Sequence, residues 1–395
     1  MMGIRQAVRP WLLVPVFIGS NPISPSTFLI KNPIMKRLFF LNHSPIDVLF
    51  TKNTNDFVVN EIPLYEFSGE GEHLILHVRK KDLTTWQMVQ RLSEVCGAKT
   101  RDFGYAGLKD KDGMTTQYVS VHKSFEEKLE NFKDDKIKIL SKTYHNNKIR
   151  VGHLKGNRFF IRLKRVNKVD GQKLGNALKT LKKDGFPNFF GYQRFGREGD
   201  NYILGREILE GKRKERKRKM KMFFISSYQS YLFNNWLSSR LEIGHILDGF
   251  DDVEAAKALG FSKELVKSLR KQKKFFKMFE GDVAHHYPNG KPFIVEDLET
   301  EVSRFEEADT TITGWLPGHR SMQSEGFVKE MDEKIYAESE PFLKQMDGTR
   351  RFGWAFLKDV EYKYIDEENW FEMHFSLPKG SYATVVLEEL THKLK

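Results

Sequence analysis

The hydrophobic pattern of the N-terminal part of the chain switches between the period of a strand and that of a helix. From His73 to Arg79, apolar residues occupy every second position, as in a strand with one buried face. A helical period follows, and either Thr84 or Thr85 can cap that helix. Its apolar positions are Met88, Leu92, Val95 and Cys96. We expect the strand to pack against the helix, with its other face available for a ligand.

Strand patterns also cover residues 57–61, 117–122 and 149–165. The last is the clearest in the chain, because apolar side chains at Phe159, Ile161 and Leu163 alternate with basic ones. One face of this strand should build core, and the other is cationic.

Two more helices are expected in the same part of the chain. Ser124 and Glu127 have the spacing of a capping box and would open a helix over residues 125–132. Another helix covers residues 170–183 and ends at Gly185, because glycine readily adopts the backbone conformation that follows a last turn.

A change in composition suggests a second domain inserted into the first. Residues 185–196 are rich in glycine and aromatic residues, and helical patterns then dominate residues 226–275. Alternation returns at residues 371–377, after which Ser381 can cap a terminal helix. We therefore predict a first domain formed by residues 35–184 and 352–395 and an inserted domain formed by residues 185–351.

The first 34 residues carry a basic and then apolar pattern that superficially resembles a signal peptide. The apolar run is too short to span a bilayer, and Met35 reads as a natural start. We interpret residues 1–34 as a disordered or mis-started extension. No other segment could be transmembrane, and a single cysteine fits a reducing compartment, so a cytoplasmic protein is expected.

The charge balance favours a polyanionic partner. The chain has 65 Lys and Arg against 53 Asp and Glu, a net charge of +12, which suits nucleic acid or an anionic membrane surface. Aromatic residues make up 13% of the chain, and they either enrich the core or stack on unpaired bases. The single cysteine, Cys96, excludes an internal disulfide and a thiolate-rich metal site.

Several well-known catalytic motifs are absent from the sequence. It contains no G-x-x-x-x-G-K-[ST] phosphate loop, no strand-anchored G-x-G-x-x-G fingerprint and no H-E-x-x-H zinc helix. These absences argue against nucleotide hydrolysis, dinucleotide redox chemistry and metal-assisted hydrolysis. Chemistry that needs no cofactor therefore stays possible.

Asp110 is the strongest candidate for chemistry. It lies between Lys109 and Lys111 in a loop bounded by glycines. Such a string alone also describes an ordinary solvated turn. A carboxylate in this setting can nevertheless act as a nucleophile or a general base without a cofactor, and Lys109 would hold it ionised.

Five segments, taken in order, resemble the tRNA pseudouridine synthase D (TruD) family. They are dispersed over nearly everything from about residue 45 onward. The matching segments are residues 56–61 with 69–73, 107–110 with 116–117, 155–159, 187–196 and 377–384. The resemblance implies the pseudouridine synthase fold, an α+β fold with a mixed, largely antiparallel sheet, interrupted by a family-specific inserted α+β domain. It also implies an isomerase that converts a uridine of transfer RNA, position 13 in bacterial members, to pseudouridine.

The resemblance also implies roles for individual residues. Asp110 matches the catalytic aspartate; Phe57, Asn157 and Tyr382 match residues that contact the target nucleotide; Phe159 matches an aromatic that stacks on the base; and Glu61 and Lys109 would support the aspartate loop.

This sequence departs from the family pattern at two positions. A lysine expected before Phe57 aligns with Thr51, beside Lys52, and Tyr382 stands where phenylalanine is common. The resemblance implies tRNA as the partner, with no membrane, no metal and no cofactor, and a monomer is favoured.

Two alternatives stay open at this point. A non-catalytic RNA-binding or ribosome-assembly factor could use the same basic and aromatic surfaces. A nuclease or methyltransferase is the other alternative, and the missing metal-ligand and reactive-cysteine motifs argue against it.

Overall fold

The computed structural model describes residues 37–196 and 198–393, so the interpretation of residues 1–34 lies outside the described residues. The strands are β1 (Phe57–Pro63), β2 (His73–Lys81), β3 (Gly104–Tyr105), β4 (Met114–His122), β5 (Ile137–His145), β6 (Leu154–Lys164), β7 (Phe186–Pro187), β8 (Val283–His286), β9 (Pro292–Ile294), β10 (Thr310–Leu316), β11 (Thr349–Phe352), β12 (Trp354–Ala355), β13 (Lys358–Ile365) and β14 (Trp370–Pro378). The helices are α1 (Thr85–Cys96), α2 (Glu126–Glu130), α3 (Lys168–Asp184), α4 (Asn201–Leu209), α5 (Arg218–Gly249), α6 (Asp252–Leu259), α7 (Lys263–Lys271), α8 (Leu298–Glu306), α9 (Gly326–Tyr336) and α10 (Ala383–Thr391). Short 3₁₀ helices cover Thr100–Asp102, Lys123–Phe125, Tyr192–Phe195 and Ala337–Gln345.

The largest sheet has the strand order β13-β14-β6-β1-β4-β2-β5, with β3 added beside β4. Only the β1–β4 pair is parallel among the described strands of this sheet. The prediction of an α+β fold with a mixed, largely antiparallel sheet is therefore confirmed. Strands from both sides of residues 185–351 build this sheet, while β8 to β11 form a separate four-stranded sheet. The division into a first domain and an inserted domain stays a prediction.

The strand β2 packs against α1 as predicted, and its opposite face is partly covered. Leu74, Leu76 and Val78 join the α1 side chains in one buried cluster. On the opposite face, Ile75 is buried in a second cluster, and the ring of His77 stacks on Tyr118 at 4.5 Å between centroids. His77 and Arg79 on this face keep part of their surface accessible, so a ligand on this face stays a prediction.

The helix ends partly follow the predicted capping. Thr84 caps α1, accepting from the backbone of Gln87 at 3.2 Å, and α3 ends at Gly185, whose φ is +85°. The box expected at Ser124 does not form, because the Ser124 hydroxyl lies 2.8 Å from Nδ1 of His122 and the α-helix begins two residues later.

Three other local expectations are wrong. Tyr382, not Ser381, precedes α10, and no side chain caps that helix. Val95 points away from the core, with 50% of its surface exposed. The strand expected over residues 149–165 begins only at Leu154, because residues 151 and 152 turn and Gly152 has a φ of +96°.

None of the helices in the described part of the chain is long and apolar enough to cross a membrane.

Candidate active site

Asp110 lies exposed on the loop that joins β3 to β4, as its glycine-bounded sequence predicts. The loop is tied to α1, since the backbone N–H of Lys109 donates to the hydroxyl of Thr85 at 2.9 Å. That hydroxyl in turn donates to the buried Gln117 side chain on β4, also at 2.9 Å. The side chain of Asp110 accepts a long hydrogen bond, 3.4 Å, from Nε2 of Gln193.

A buried lysine supports the backbone of this loop. The ammonium of Lys80 donates to the carbonyl oxygens of Leu83 at 2.5 Å and of Asp110 at 2.7 Å, and to the Thr115 hydroxyl at 3.3 Å. Burial lowers the pKa of Lys80 to about 8, while the charge of Asp110 opposes that shift. The sequence analysis missed Lys80, although it continues the spacing of Leu74, Leu76 and Val78 and so falls on the buried face.

The turn after Asp110 requires glycine. Gly113 has a φ of +93°, and a Cβ at this position would lie 2.7 Å from the carbonyl oxygen of Phe57. The loop and β1 therefore approach each other more closely than any side chain permits.

A cavity of about 200 Å³ opens at Asp110. Its walls contain six of the seven side chains singled out from the sequence, which come from four separate segments. They are Phe57, Lys109, Asp110, Asn157, Phe159 and Tyr382. Further lining residues are Lys52, Leu108, Asp112, Thr115, Gln193 and Thr384. In the sequence, Gln193 and Thr384 stand out only as members of the segments that match the family.

Glu61, the seventh residue, lies behind this cavity and contacts it through Lys109. The ammonium of Lys109 is 3.1 Å from Oε2 of Glu61 and 2.5 Å from Oδ1 of Asn157. This arrangement follows from the register of β1 and β6, in which Glu61 pairs with Asn157. Burial raises the pKa of Glu61, and the Lys109 charge and a 3.1 Å hydrogen bond from the backbone of Tyr118 oppose the rise.

Aromatic rings form the floor of the cavity. Phe57 and Phe159 are nearly parallel, 6.4 Å apart at an interplanar angle of 29°, and Phe375 supports Phe159 from below at 5.6 Å. Both Phe57 and Phe159 are buried except where they meet the cavity. Tyr382 contributes a half-buried ring at the start of α10.

The family pattern has a lysine where this chain has Thr51, and the neighbouring Lys52 lines the cavity. Its ammonium lies 6.0 Å from the Phe57 ring centroid and donates to the Tyr192 hydroxyl at 3.2 Å. Thr51 instead donates to the carboxylate of Asp56 at 3.0 Å.

The site combines a solvent-facing carboxylate, a fixed amide and a flat aromatic floor. Such a cavity suits a planar heterocycle whose polar edge pairs with the amide, beside a group that can attack or accept a proton. Among residues 37–196 and 198–393, no cluster of three or more His, Cys, Asp or Glu could hold a metal ion.

Known proteins resemble this chain over nearly its whole length. The family model described as tRNA pseudouridine synthase D (TruD) matches residues 34–216 and 253–390. A protein named tRNA pseudouridine synthase D from Nitratiruptor sp. is 52% identical over 359 residues, covering 91% of this chain and 99% of its own. One of the same name from Campylobacter jejuni is 52% identical over 364 residues, covering 92% and 98%.

A crystal structure from Methanosarcina mazei, described as tRNA pseudouridine synthase D (TruD), has the same fold. It superimposes with a TM-score of 0.66 over 92% of this chain and 99% of its own, at 20% sequence identity.

Proposed function

Because the chain belongs to the tRNA pseudouridine synthase D (TruD) family of isomerases, we propose that it converts uridine 13 of transfer RNA to pseudouridine with Asp110 as the catalytic aspartate. The observation that carries this proposal is the convergence of Asp110, Asn157 and the aromatic side chains on one cavity. These residues are far apart in the sequence, and the fold brings them together.

The aromatic floor suits a uracil that has left the RNA stack. Extruding a base costs a few kcal/mol, and stacking on aromatic side chains contributes about 1–3 kcal/mol per base. The rings of Phe57, Phe159 and Tyr382 supply that stacking surface. The cavity therefore offsets much of the cost of reaching the target.

Asn157 orients the base, and the buried pair behind it fixes Asn157. Because Lys109 donates to Oδ1 of Asn157, the amide nitrogen is left to donate to a uracil carbonyl. The carboxylate of Glu61 holds Lys109 in turn. Both supporting residues thus act through Asn157 as well as through the Asp110 loop.

Asp110 acts on the uridine held in this orientation. The C1′–N1 glycosidic bond is cleaved, the uracil rotates, and a C1′–C5 bond forms. C5 loses its proton and N1 gains one, so atoms and charge balance without any co-reactant. The carboxylate serves as the nucleophile or as the base that takes a proton. Its exposure at the cavity mouth suits either task.

The test is conversion of unmodified tRNA by the purified protein with a chelator present and no added cofactor. Carbodiimide mapping should detect new pseudouridine. Asp110→Asn should abolish it while binding tRNA normally, because the cationic surface supplies most of the affinity.

The neighbouring Asp112 offers a matched control, since it is also exposed and lines the same cavity. Asp112→Asn should keep the activity. Absence of pseudouridine with the intact protein would contradict the enzymatic proposal and favour a non-catalytic RNA-binding factor, and undiminished activity of Asp110→Asn would contradict the role of Asp110.

A further inference from the structure

A second cavity, of about 360 Å³, adjoins the uridine cavity. Its wall includes Phe190, and the uridine cavity includes Tyr382. The guanidinium of Arg351 joins the two, lying 3.9 Å from the Phe190 ring centroid and 5.8 Å from that of Tyr382. Only one layer of side chains therefore separates the cavities.

The second cavity is strongly cationic. The cationic and aromatic side chains around it are Arg350, Arg351, Lys379, His285, Phe190 and Phe352. None of the described residues that line it is acidic. A concave surface with several positive charges and no carboxylate attracts an anion.

The charge of Arg351 has no carboxylate to balance it within the described part of the chain. Its guanidinium donates only to neutral oxygens of Asn188 and Phe189, at 3.0–3.3 Å. Burial lowers the pKa of Arg351 to about 10, with the nearby Arg194 adding to the shift. The side chain is thus a half-buried cation at neutral pH. Residues 1–36, 197 and 394–395 contain no Asp or Glu.

Two other cations of this cavity differ in their partners. Arg350 donates to the hydroxyl of Thr313, and the negative charge of Asp332 partly balances its positive charge. Lys379 is exposed, and only its backbone N–H has a partner among residues 37–196 and 198–393, the carbonyl of Lys155 at 3.0 Å. Lys379 lies three residues before Tyr382, so it connects this cavity with the uridine cavity along the chain.

We propose that this second cavity binds a backbone phosphate of the RNA, next to the nucleotide that enters the uridine cavity, through Arg351 and Lys379. The inference rests on the proposed function, because the anion is taken to be part of the same RNA. Arginine and lysine are the side chains that most often contact phosphate, and such contacts fix the register of the RNA without reading its sequence. Phe190 and Phe352 offer flat faces for the attached nucleoside.

Lys379→Ala tests this inference without removing a described side-chain contact. A set of tRNA-derived RNAs, each with one phosphate near the target uridine replaced by a neutral methylphosphonate, is bound to the wild-type protein and to the variant. At one phosphate position, the methylphosphonate and Lys379→Ala combined should weaken binding no more than either does alone, because both remove the same contact. The dependence of affinity on salt should fall by about one phosphate contact in the variant.

Two controls make the result specific. Lys379→Arg should restore the affinity and the salt dependence. The second control is Lys257→Ala, at an exposed lysine on α6 that lines neither cavity. Its effect on binding should add to that of every neutralised phosphate.

The proposal is overturned if Lys379→Ala leaves RNA affinity unchanged or is additive with every neutralised phosphate. Inorganic phosphate could also compete with RNA for the wild-type protein but not for Lys379→Ala, while no RNA phosphate shows coupling to the variant. That result would overturn the proposal and assign the site to a free anion. These outcomes are independent of the proposed function, because pseudouridine formation by the wild-type protein is measured in the same samples. If no pseudouridine forms, the isomerase proposal fails even where the phosphate coupling is observed.

Discussion

The buried ammonium of Lys80 donates a hydrogen bond to the backbone carbonyl of Asp110 at 2.7 Å. The contact reaches the main chain, so Lys80 determines where the loop lies and leaves the carboxylate of Asp110 facing the cavity. Its other acceptors, Leu83 and Thr115, are also uncharged. Lys80 is therefore a positioning residue for the proposed catalyst.

Lys80→Met should reduce turnover about tenfold or more while tRNA binding stays the same. Losing the hydrogen bonds costs about 1–3 kcal/mol, but removing a buried charge gives back a similar amount, so the free energy of unfolding should change by less than about 2 kcal/mol. Single-turnover kinetics and denaturant unfolding measure the two effects. The matched control is Lys81→Met at the exposed neighbouring lysine, and equal activity of the two variants would contradict the positioning role.

The lowered pKa of Lys80 predicts how stability depends on pH. The pKa of Lys80 is about 8 in the folded protein and its ordinary value is 10.5, so between these values the unfolded chain binds more protons and stability rises with pH. The cost of burying the charge is present in full below pH 8 and is relieved towards pH 10.5, by about 3 kcal/mol at most. Unfolding free energies of the wild type minus those of Lys80→Met should therefore increase across this range, and a flat difference would argue against a buried ammonium.

The Glu61–Lys109 pair should behave as one unit. Both side chains are buried, at 1% and 8% exposure, and removing one partner of such a pair costs about 3–5 kcal/mol because the other charge is left unpaired. Glu61→Gln and Lys109→Met should each lower the melting temperature, and the double variant should lose less than the sum of the two. Additive losses in this double-mutant cycle would show that the ion pair has no coupling energy.

The same pair should also affect turnover through Asn157. Since Lys109 holds Oδ1 of that amide, Lys109→Met should lower turnover with a smaller effect on RNA affinity.

Two glycines of the Asp110 loop should differ sharply on substitution by alanine. Gly113→Ala places a methyl group 2.7 Å from the Phe57 carbonyl at a φ of +93°, so the loop must shift and turnover should fall strongly. Gly107→Ala meets no atom within 4 Å and has no positive φ, so it should be nearly neutral. Equal turnover of the two variants would show that the close approach of the loop to β1 is unimportant.

The sequence predicted the main strands and helices well where one face is buried. Alternation placed β2 and the core of β6 and β14. Local rules gave the N-cap of α1 and the glycine that ends α3. Ser124 and Ser381 failed as caps because nearby structure decided the helix starts. Such competition between local and tertiary contacts is invisible in a capping motif.

The residues of the candidate site could be predicted through the resemblance. Their relative positions could not be predicted without the fold. Local pattern alone left Asp110 as a surface turn. The closeness of Phe57, Asn157 and Tyr382 depends on strand register across the sheet, which a sequence motif does not contain. Lys80 could have been found, because its position in the alternation places a cation on the buried face.

The cavity is complete only after the C-terminal part of the chain has been synthesised, because β6 pairs with β14. Asn157 lies opposite Leu377 in this pair, so more than half of the polypeptide must be synthesised after β6 before its second neighbour exists. Domains fold during synthesis as their segments emerge, and contacts this far apart form late. A partly translated chain therefore has the Asp110 loop but lacks one wall of the cavity. We therefore expect a chain that ends before β14 to lack the activity proposed for the full-length protein.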